Sequence, residues 1–369
     1  MPLDSLTAAE RALLDDLGFD GPTFAQLTED FVADRLPPNR LAAVEAPPSS
    51  AFLPVAASGT WQGDALRDAG LQALHGGTAG MLLLNGGMAT RFGGRVKGVV
   101  DALPNRSFLA LQASRLKALA AEIGRPVPLL LMNSHATDGA TRDHLRDNDF
   151  FGLDPDSVRC FVQSAAPRLT PDGQLFRDDD GALSIYGPGH GDLLPSLRRT
   201  GALAWARARG VDTLLMANVD NLGASLDPAL LGRMLAGGHD LLVEVVPKNP
   251  GDAGGAPAQV DGRVAIVEGF AFPEDFDADT IPVFNTNTLW FRTEALDAEL
   301  PLRWYCVKKN AGGQPVIQFE RLVGQASWFL NTGFVQVSRD RFLPVKSPAD
   351  LVAAQPRLRA LFGTSLKVL

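Results

Sequence analysis

The residues best placed to do chemistry begin at Asn85-Gly86-Gly87 and continue a few positions on through Arg91, Gly93-Gly94, Arg95 and Lys97. A loop with this much glycine can turn its backbone N–H groups onto an anion without Cβ interference. Arg91, Arg95 and Lys97 add cationic charge, so the stretch reads as a cradle for nucleotide phosphates. A plain tight turn would have the same composition. It is not a Walker loop, because Lys97 lies between Val96 and Gly98, and the adjacent pair Gly86-Gly87 does not supply a dinucleotide fingerprint. Farther on, Asn218-Val219-Asp220-Asn221 would bring a carboxylate to a strand end, beside any phosphates bound there. Such a carboxylate is unfavourable unless a cation intervenes, which makes Asp220 the candidate Mg²⁺ ligand. An Asx turn is the structural alternative. In Pro188-Gly189-His190-Gly191-Asp192, two glycines let a loop press His190 against a ligand, and Asp192 can cap the helix that follows.

These residues need a scaffold, and the sequence supplies one. Met81–Leu84 is too short an apolar run for a helix and suits a buried strand. Ser107 opens a helix carrying Leu111, Leu116, Leu119 and Ile123. Further strands are expected at Val127–Met132, Val158–Val162, Leu214–Ala217 and Leu241–Val246, with helices over Leu193–Arg209 and Pro228–Leu235. Strands alternating with helices imply an α/β fold whose mostly parallel sheet is covered on both faces. Ligands bind beyond the carboxyl ends of such strands. Those ends are polar here: Asn85, Asn133-Ser134, Gln163-Ser164 and Asn218 to Asn221. Locally, Asn133 and Ser134 also suit a helix cap.

Residues 1–75 read as a helical and loop addition, in which Ser5 or Thr7 caps a helix ended by Gly18. Residues 76–346 form the main domain, with an insertion over about 247–333, and 347–369 a short helix. Lys248 follows a strand; it loosely resembles a lysine of a known family, and an ordinary solvated lysine fits at least as well. At 369 residues and 46% apolar composition the chain can bury a substantial core. A net charge of −8 argues against a nucleic-acid or membrane-surface binder. Two cysteines give neither a disulfide framework nor a metal cluster, and no stretch reaches transmembrane length. A cytoplasmic protein is expected.

The ordered string of motifs resembles the UTP–glucose-1-phosphate uridylyltransferases (UDP-glucose pyrophosphorylases) of eukaryotic type. Asn85–Thr90 is similar to the family's Asn-Gly-Gly-Leu-Gly-Thr, departing at Met88-Ala89; Leu131–Ser134 is similar to Leu-Met-Asn-Ser. Phe161–Ser164 resembles the stretch whose glutamine reads uracil, and Asn218–Gly223 resembles Asn-Ser-Asp-Asn-Leu-Gly. Phe284–Trp290 nearly reproduces Phe-Asn-Thr-Asn-Asn-Leu-Trp, with Thr288 for an asparagine, and Arg341–Lys346 matches Arg-Phe-Leu-Pro-Val-Lys.

The resemblance implies a Rossmann-like, GT-A-like nucleotidyltransferase fold with a mixed, mostly parallel sheet. It implies transfer of uridylyl from UTP to glucose 1-phosphate, with Lys97, Lys346 and Arg91 as catalytic cations and Mg²⁺ on Asp220. Asn85, Gly86, Gly87, Gln163 and Gly189 would hold the nucleotide. His190, Asn221, Glu268, Asn285 and Asn287 would face the sugar phosphate, with His190 a hydrogen-bonding residue rather than a general base. A UDP-N-acetylhexosamine or broad UDP-sugar pyrophosphorylase, or a non-catalytic nucleotide-sugar regulator, would share most of these motifs. The family's long C-terminal β-helix, which carries subunit contacts, has no counterpart after Lys346, so a monomer or dimer is expected rather than an octamer.

Overall fold

The computed structural model describes residues 2–89, 92–249, 252 and 254–363. Its centre is an eight-stranded sheet built from β1 (Phe52–Pro54), β2 (Ala79–Leu84), β3 (Leu129–Asn133), β4 (Val158–Val162), β5 (Thr213–Asn218), β6 (Leu241–Pro247), β7 (Val283–Arg292) and β8 (Thr332–Gln336). The spatial order is β1-β8-β6-β7-β5-β2-β3-β4. Every neighbouring pair is parallel except those made by β7, which runs antiparallel to both β6 and β5. The expected mixed, mostly parallel α/β architecture is what the chain adopts.

Burial on both faces explains the continuous apolar strands. In β2, Met81 and Leu83 join one core layer with α3 (Trp61–Gly76), α4 (Phe108–Ile123), α8 (Pro228–Ala236) and α9 (Pro348–Phe362). Leu82 and Leu84 point into the opposite layer, which contains α6 (Leu193–Arg199) and α7 (Ala202–Arg207). A third cluster seats Phe24 of α2 (Gly21–Val32) against Tyr186 and Phe319. Local signals set the helix ends. Ser107 Oγ accepts from Ala110 N at 3.0 Å to open α4, and Ser347 Oγ accepts from Asp350 N to open α9. At the N-terminus it is Thr7, not Ser5, that caps α1 (Ala8–Asp16), in a reciprocal box with Glu10.

One expectation needs correction. The helical run over Leu193–Arg209 is two helices, α6 and α7, because Gly201 takes φ +70° and turns the chain between them. The strand ahead of Glu268, Arg263–Val267, lies outside the large sheet, in an antiparallel hairpin with Ala256–Val260. Residues 364–369 of the expected C-terminal helix lie outside the described residues.

Topology selects where a site forms. The parallel strands β2, β3, β4 and β5 end at one edge of the sheet. Because β7 runs the other way, its first residues, Asn285 and Asn287 among them, start at that same edge. Among the described residues, no helix is long and apolar enough to cross a membrane.

Candidate active site

Two cavities open at this edge, of about 820 and 720 Å³, and His190, Asn218 and Asp220 line both. The first is also lined by Gly86, Gly87, Lys97, Gln163 and Gly189. The second is lined by Asn221, Glu268, Asn285, Asn287 and Lys346. Arg91 lies outside the described residues. Asn85 is the one expected ligand residue that faces away: it is fully buried and lines neither cavity. Its Nδ2 donates to Asn133 Oδ1 at 2.8 Å and Thr141 Oγ1 at 2.9 Å, pinning the root of the glycine loop to β3 and to α5 (Asp138–Asp147). Asn133 in turn donates to Asp138, so it braces rather than caps.

Gln163 stands at the end of β4, buried, with no protein hydrogen-bond partner on its amide among the described residues. Gly86 and Gly187 leave room for it, since a Cβ at Gly187 would come within 2.1 Å of Nε2. The histidine loop is shaped by close backbone contact. Gly189 has φ +82°, and a Cβ there would meet Arg321 O at 2.4 Å, so only glycine fits. His190 Nδ1 accepts from Val323 N at 3.0 Å, which places the ring proton on Nε2. Burial pushes the imidazole pKa down to about 4. A neutral ring whose free nitrogen is a donor agrees with a hydrogen-bonding role and not with a general base. Asp192 does not cap α6; its carboxylate binds Ser164 N, Ser196 Oγ and Arg321 instead.

Charge concentrates where the cavities meet. Lys97 Nζ lies 3.6 Å from Asp220 Oδ2 and also donates to Val345 O. Its ammonium stands 4.5 Å from the Phe92 ring centre. Burial raises the Asp220 pKa, while Lys97 and Lys346 pull it back down. Asn221 is a brace: Oδ1 accepts from Leu343 N at 2.9 Å, and Nδ2 donates to Thr288 Oγ1 at 3.2 Å. It thereby ties the Asp220 loop to the segment carrying Lys346. Arg341 anchors that segment from the other end, forking onto Glu244 at 2.7 and 2.8 Å.

On the sugar-facing side, the β6–β7 register shifts between Glu244 and Val245, leaving a bulge in β7. Asn287 sits in it at φ +53°, a conformation asparagine tolerates, and donates to Asn218 Oδ1 at 3.2 Å. Thr288, where the motif departs from the family's asparagine, is fully buried against Asn221 and lines neither cavity. Among the described residues no cation acts on Glu268, and burial alone lifts its pKa to about 7. Lys248 lies outside both cavities, paired with Asp279 at 2.7 Å.

The sequence thus brought together Gly86, Gly87, Lys97, Gln163, Gly189, His190, Asp220, Asn221, Glu268, Asn285, Asn287 and Lys346. It named Asn218 at a polar strand end without giving it a role, and it missed Arg321, for which no local signal exists.

Residues 64–367 match the UTP–glucose-1-phosphate uridylyltransferase family. The chain is 33% identical to the UTP–glucose-1-phosphate uridylyltransferase of Solanum tuberosum over 298 residues, which is 76% of this chain and 62% of that protein. It is 32% identical to the Saccharomyces cerevisiae enzyme over 308 residues, covering 78% and 61%. The chain therefore spans about 62% of the length of the curated relatives it matches. Among solved structures, a UDP-glucose phosphorylase of Trypanosoma brucei superposes with TM-score 0.74 at 26% identity, over 90% of this chain and 74% of that one. A UDP-N-acetylglucosamine pyrophosphorylase of the same organism shares the fold, with TM-score 0.77 at 21% identity, covering 99% and 84%. On the match across residues 64–367 and the identities to these relatives, the chain belongs to the UTP–glucose-1-phosphate uridylyltransferase family.

Proposed function

We propose that the chain transfers uridylyl from UTP to glucose 1-phosphate. The observation that carries this reading is the meeting of two cavities at Asp220, between Lys97 and Lys346. A sugar 1-phosphate oxygen attacks the α-phosphorus of UTP and forms the new P–O bond. The bond from that phosphorus to the bridging oxygen breaks, and the electron pair leaves with pyrophosphate. No proton transfer is needed, because the phosphate monoester is already an anionic nucleophile. Rate enhancement then comes from in-line positioning and charge stabilisation.

Gly86 and Gly87 border the phosphates, Gln163 pairs its amide with the uracil O4/N3 edge, and Lys97 and Lys346 approach the reacting phosphates from opposite segments. His190 donates from Nε2 to the sugar phosphate, and Glu268, Asn285 and Asn287 take up the hexose hydroxyls. Among the described residues no three His, Cys, Asp or Glu side chains converge on a metal position. A lone carboxylate fits Mg²⁺, which is commonly held by one or two carboxylates together with substrate phosphates. Asp220 would hold the ion, which when bound neutralises phosphate charge.

Pyrophosphate release from UTP with a panel of sugar 1-phosphates, with and without Mg²⁺, tests the proposal. Release with glucose 1-phosphate above the N-acetylated sugars, dependent on Mg²⁺, is expected. No release with any sugar phosphate would contradict it.

A further inference from the structure

Behind the pyrimidine-facing cavity lies an ion pair to which none of the motifs assigns a task. Asp192 is fully buried, and its carboxylate makes three contacts at 2.7 Å. Oδ2 accepts from Ser164 N, the residue after Gln163, and from Ser196 Oγ of α6. Oδ1 accepts from Arg321 Nη2. The Arg321 guanidinium lies 4.6 Å from the Trp304 ring centre, which fixes its plane.

Arg321 is also tied to the histidine loop through its backbone. Its N donates to Pro188 O at 3.0 Å, and its O accepts from Gly191 N at 2.8 Å. Two residues on, Val323 N donates to His190 Nδ1. One side chain and three backbone groups of a single short segment thus fix two parts of the cavity that are far apart in sequence.

We propose that the Asp192–Arg321 pair is the positioning element that sets Gln163 against His190, and so determines which pyrimidine the site accepts. The pair touches no substrate; it acts through Ser164 and the Pro188–Gly191 loop. Without Arg321 the Asp192 charge is buried with no cation among the described residues, so it would draw water or a proton. Ser164 N would then lose its charged acceptor, and the Gln163 amide would drift. A drift of about 1 Å costs on the order of a hundredfold in an aligned reaction. The proposal rests on the uridylyl-transfer reading for the base contact, and its test separates the two.

The full chain is compared as wild type, Arg321→Met, Arg321→Lys and Asp192→Asn. Calorimetry gives the affinities for UTP and CTP, turnover gives kcat/KM for each, and thermal unfolding gives the midpoint. Both ratios are independent of the fraction of protein that is folded. The expected result is a UTP preference in wild type that falls about tenfold or more in Arg321→Met and Asp192→Asn, with partial recovery in Arg321→Lys. A lowered midpoint with the UTP/CTP ratio unchanged would make the pair purely structural and overturn the proposal. Should Arg321→Met fail to fold, Arg321→Lys decides, since it keeps the charge and loses the planar fork. Wild type that binds UTP preferentially but does not turn it over refutes the transfer reading alone. Wild type with no preference in binding removes the role of Gln163 and with it the proposal.

Discussion

Asp220 and Glu268 both line the second cavity of the cleft, yet the chain surrounds them differently. Asp220 is flanked by Lys97 and Lys346, which partly offset the burial that raises its pKa. Glu268 faces no cation among the described residues, and burial alone lifts its pKa to about 7. The surroundings of Asp220 suit fixed anionic charge, and those of Glu268 suit uncharged donors such as hydroxyls. The supporting backbone differs in the same way. The phosphate side hangs on the ends of parallel strands, where polar residues converge by topology. The sugar side is made by the start of the antiparallel β7, a bulge and a separate hairpin.

Charge removal on the phosphate side should have the largest effect. Lys346→Ala is expected to lower kcat about 10²–10³-fold while leaving UTP affinity nearly unchanged, because its charge matters most as pyrophosphate forms. Steady-state kinetics beside equilibrium UTP binding checks this; unchanged turnover would remove Lys346 from the chemistry.

Glu268 sharpens the contrast through pH. Its folded-state pKa, raised from 4.5 to about 7, means that the folded chain holds a proton the unfolded chain releases. Stability from this group is therefore complete below about pH 4.5 and is lost as pH rises to about 7, by up to about 3 kcal/mol. The melting midpoint of Glu268→Gln relative to wild type should therefore rise between pH 5 and pH 8, because the neutral amide escapes this loss. A midpoint difference that does not change with pH would contradict the assignment. If the ionised carboxylate accepts sugar hydroxyls, wild-type affinity for glucose 1-phosphate should also rise through pH 7 more steeply than that of the variant.

A smaller effect is expected for base choice. Gln163→Ala should reduce the UTP/CTP ratio of kcat/KM about ten- to a hundredfold, as the amide that matches uracil is lost. A wild-type ratio near one would dispose of the contact. The smallest effect belongs to the framework. Asn85→Ala should cost about 1–2 kcal/mol in chemical denaturation with the UTP/CTP ratio unchanged, since its amide meets Asn133 and Thr141 and not a cavity.

The phosphate side was the more legible half in sequence. The expected Val158–Val162 matches β4 residue for residue, and polar residues after apolar runs marked Gln163 and Asp220, which both line a cavity. Where the rule failed, geometry explains it: Asn85 also follows an apolar run, but its side chain turns inward to hold β3 and α5. The sugar side depended on resemblance, because no local pattern announces a bulge that turns Asn287 to φ +53°. Arg321 and Asp192 meet across 129 residues, a separation at which spacing carries no information. The break at Gly201 was hidden by helix-forming neighbours on both sides.

The most direct test of the account follows one oxygen. Glucose 1-phosphate labelled with ¹⁸O on its non-bridging phosphate oxygens is incubated with UTP, Mg²⁺ and the chain, and the UDP-glucose is read by ³¹P NMR. Attack by the sugar phosphate on the α-phosphorus predicts ¹⁸O in the bridge, shifting both phosphorus signals, with unlabelled pyrophosphate released. A bridge oxygen drawn from UTP, or no UDP-glucose at all, would contradict it.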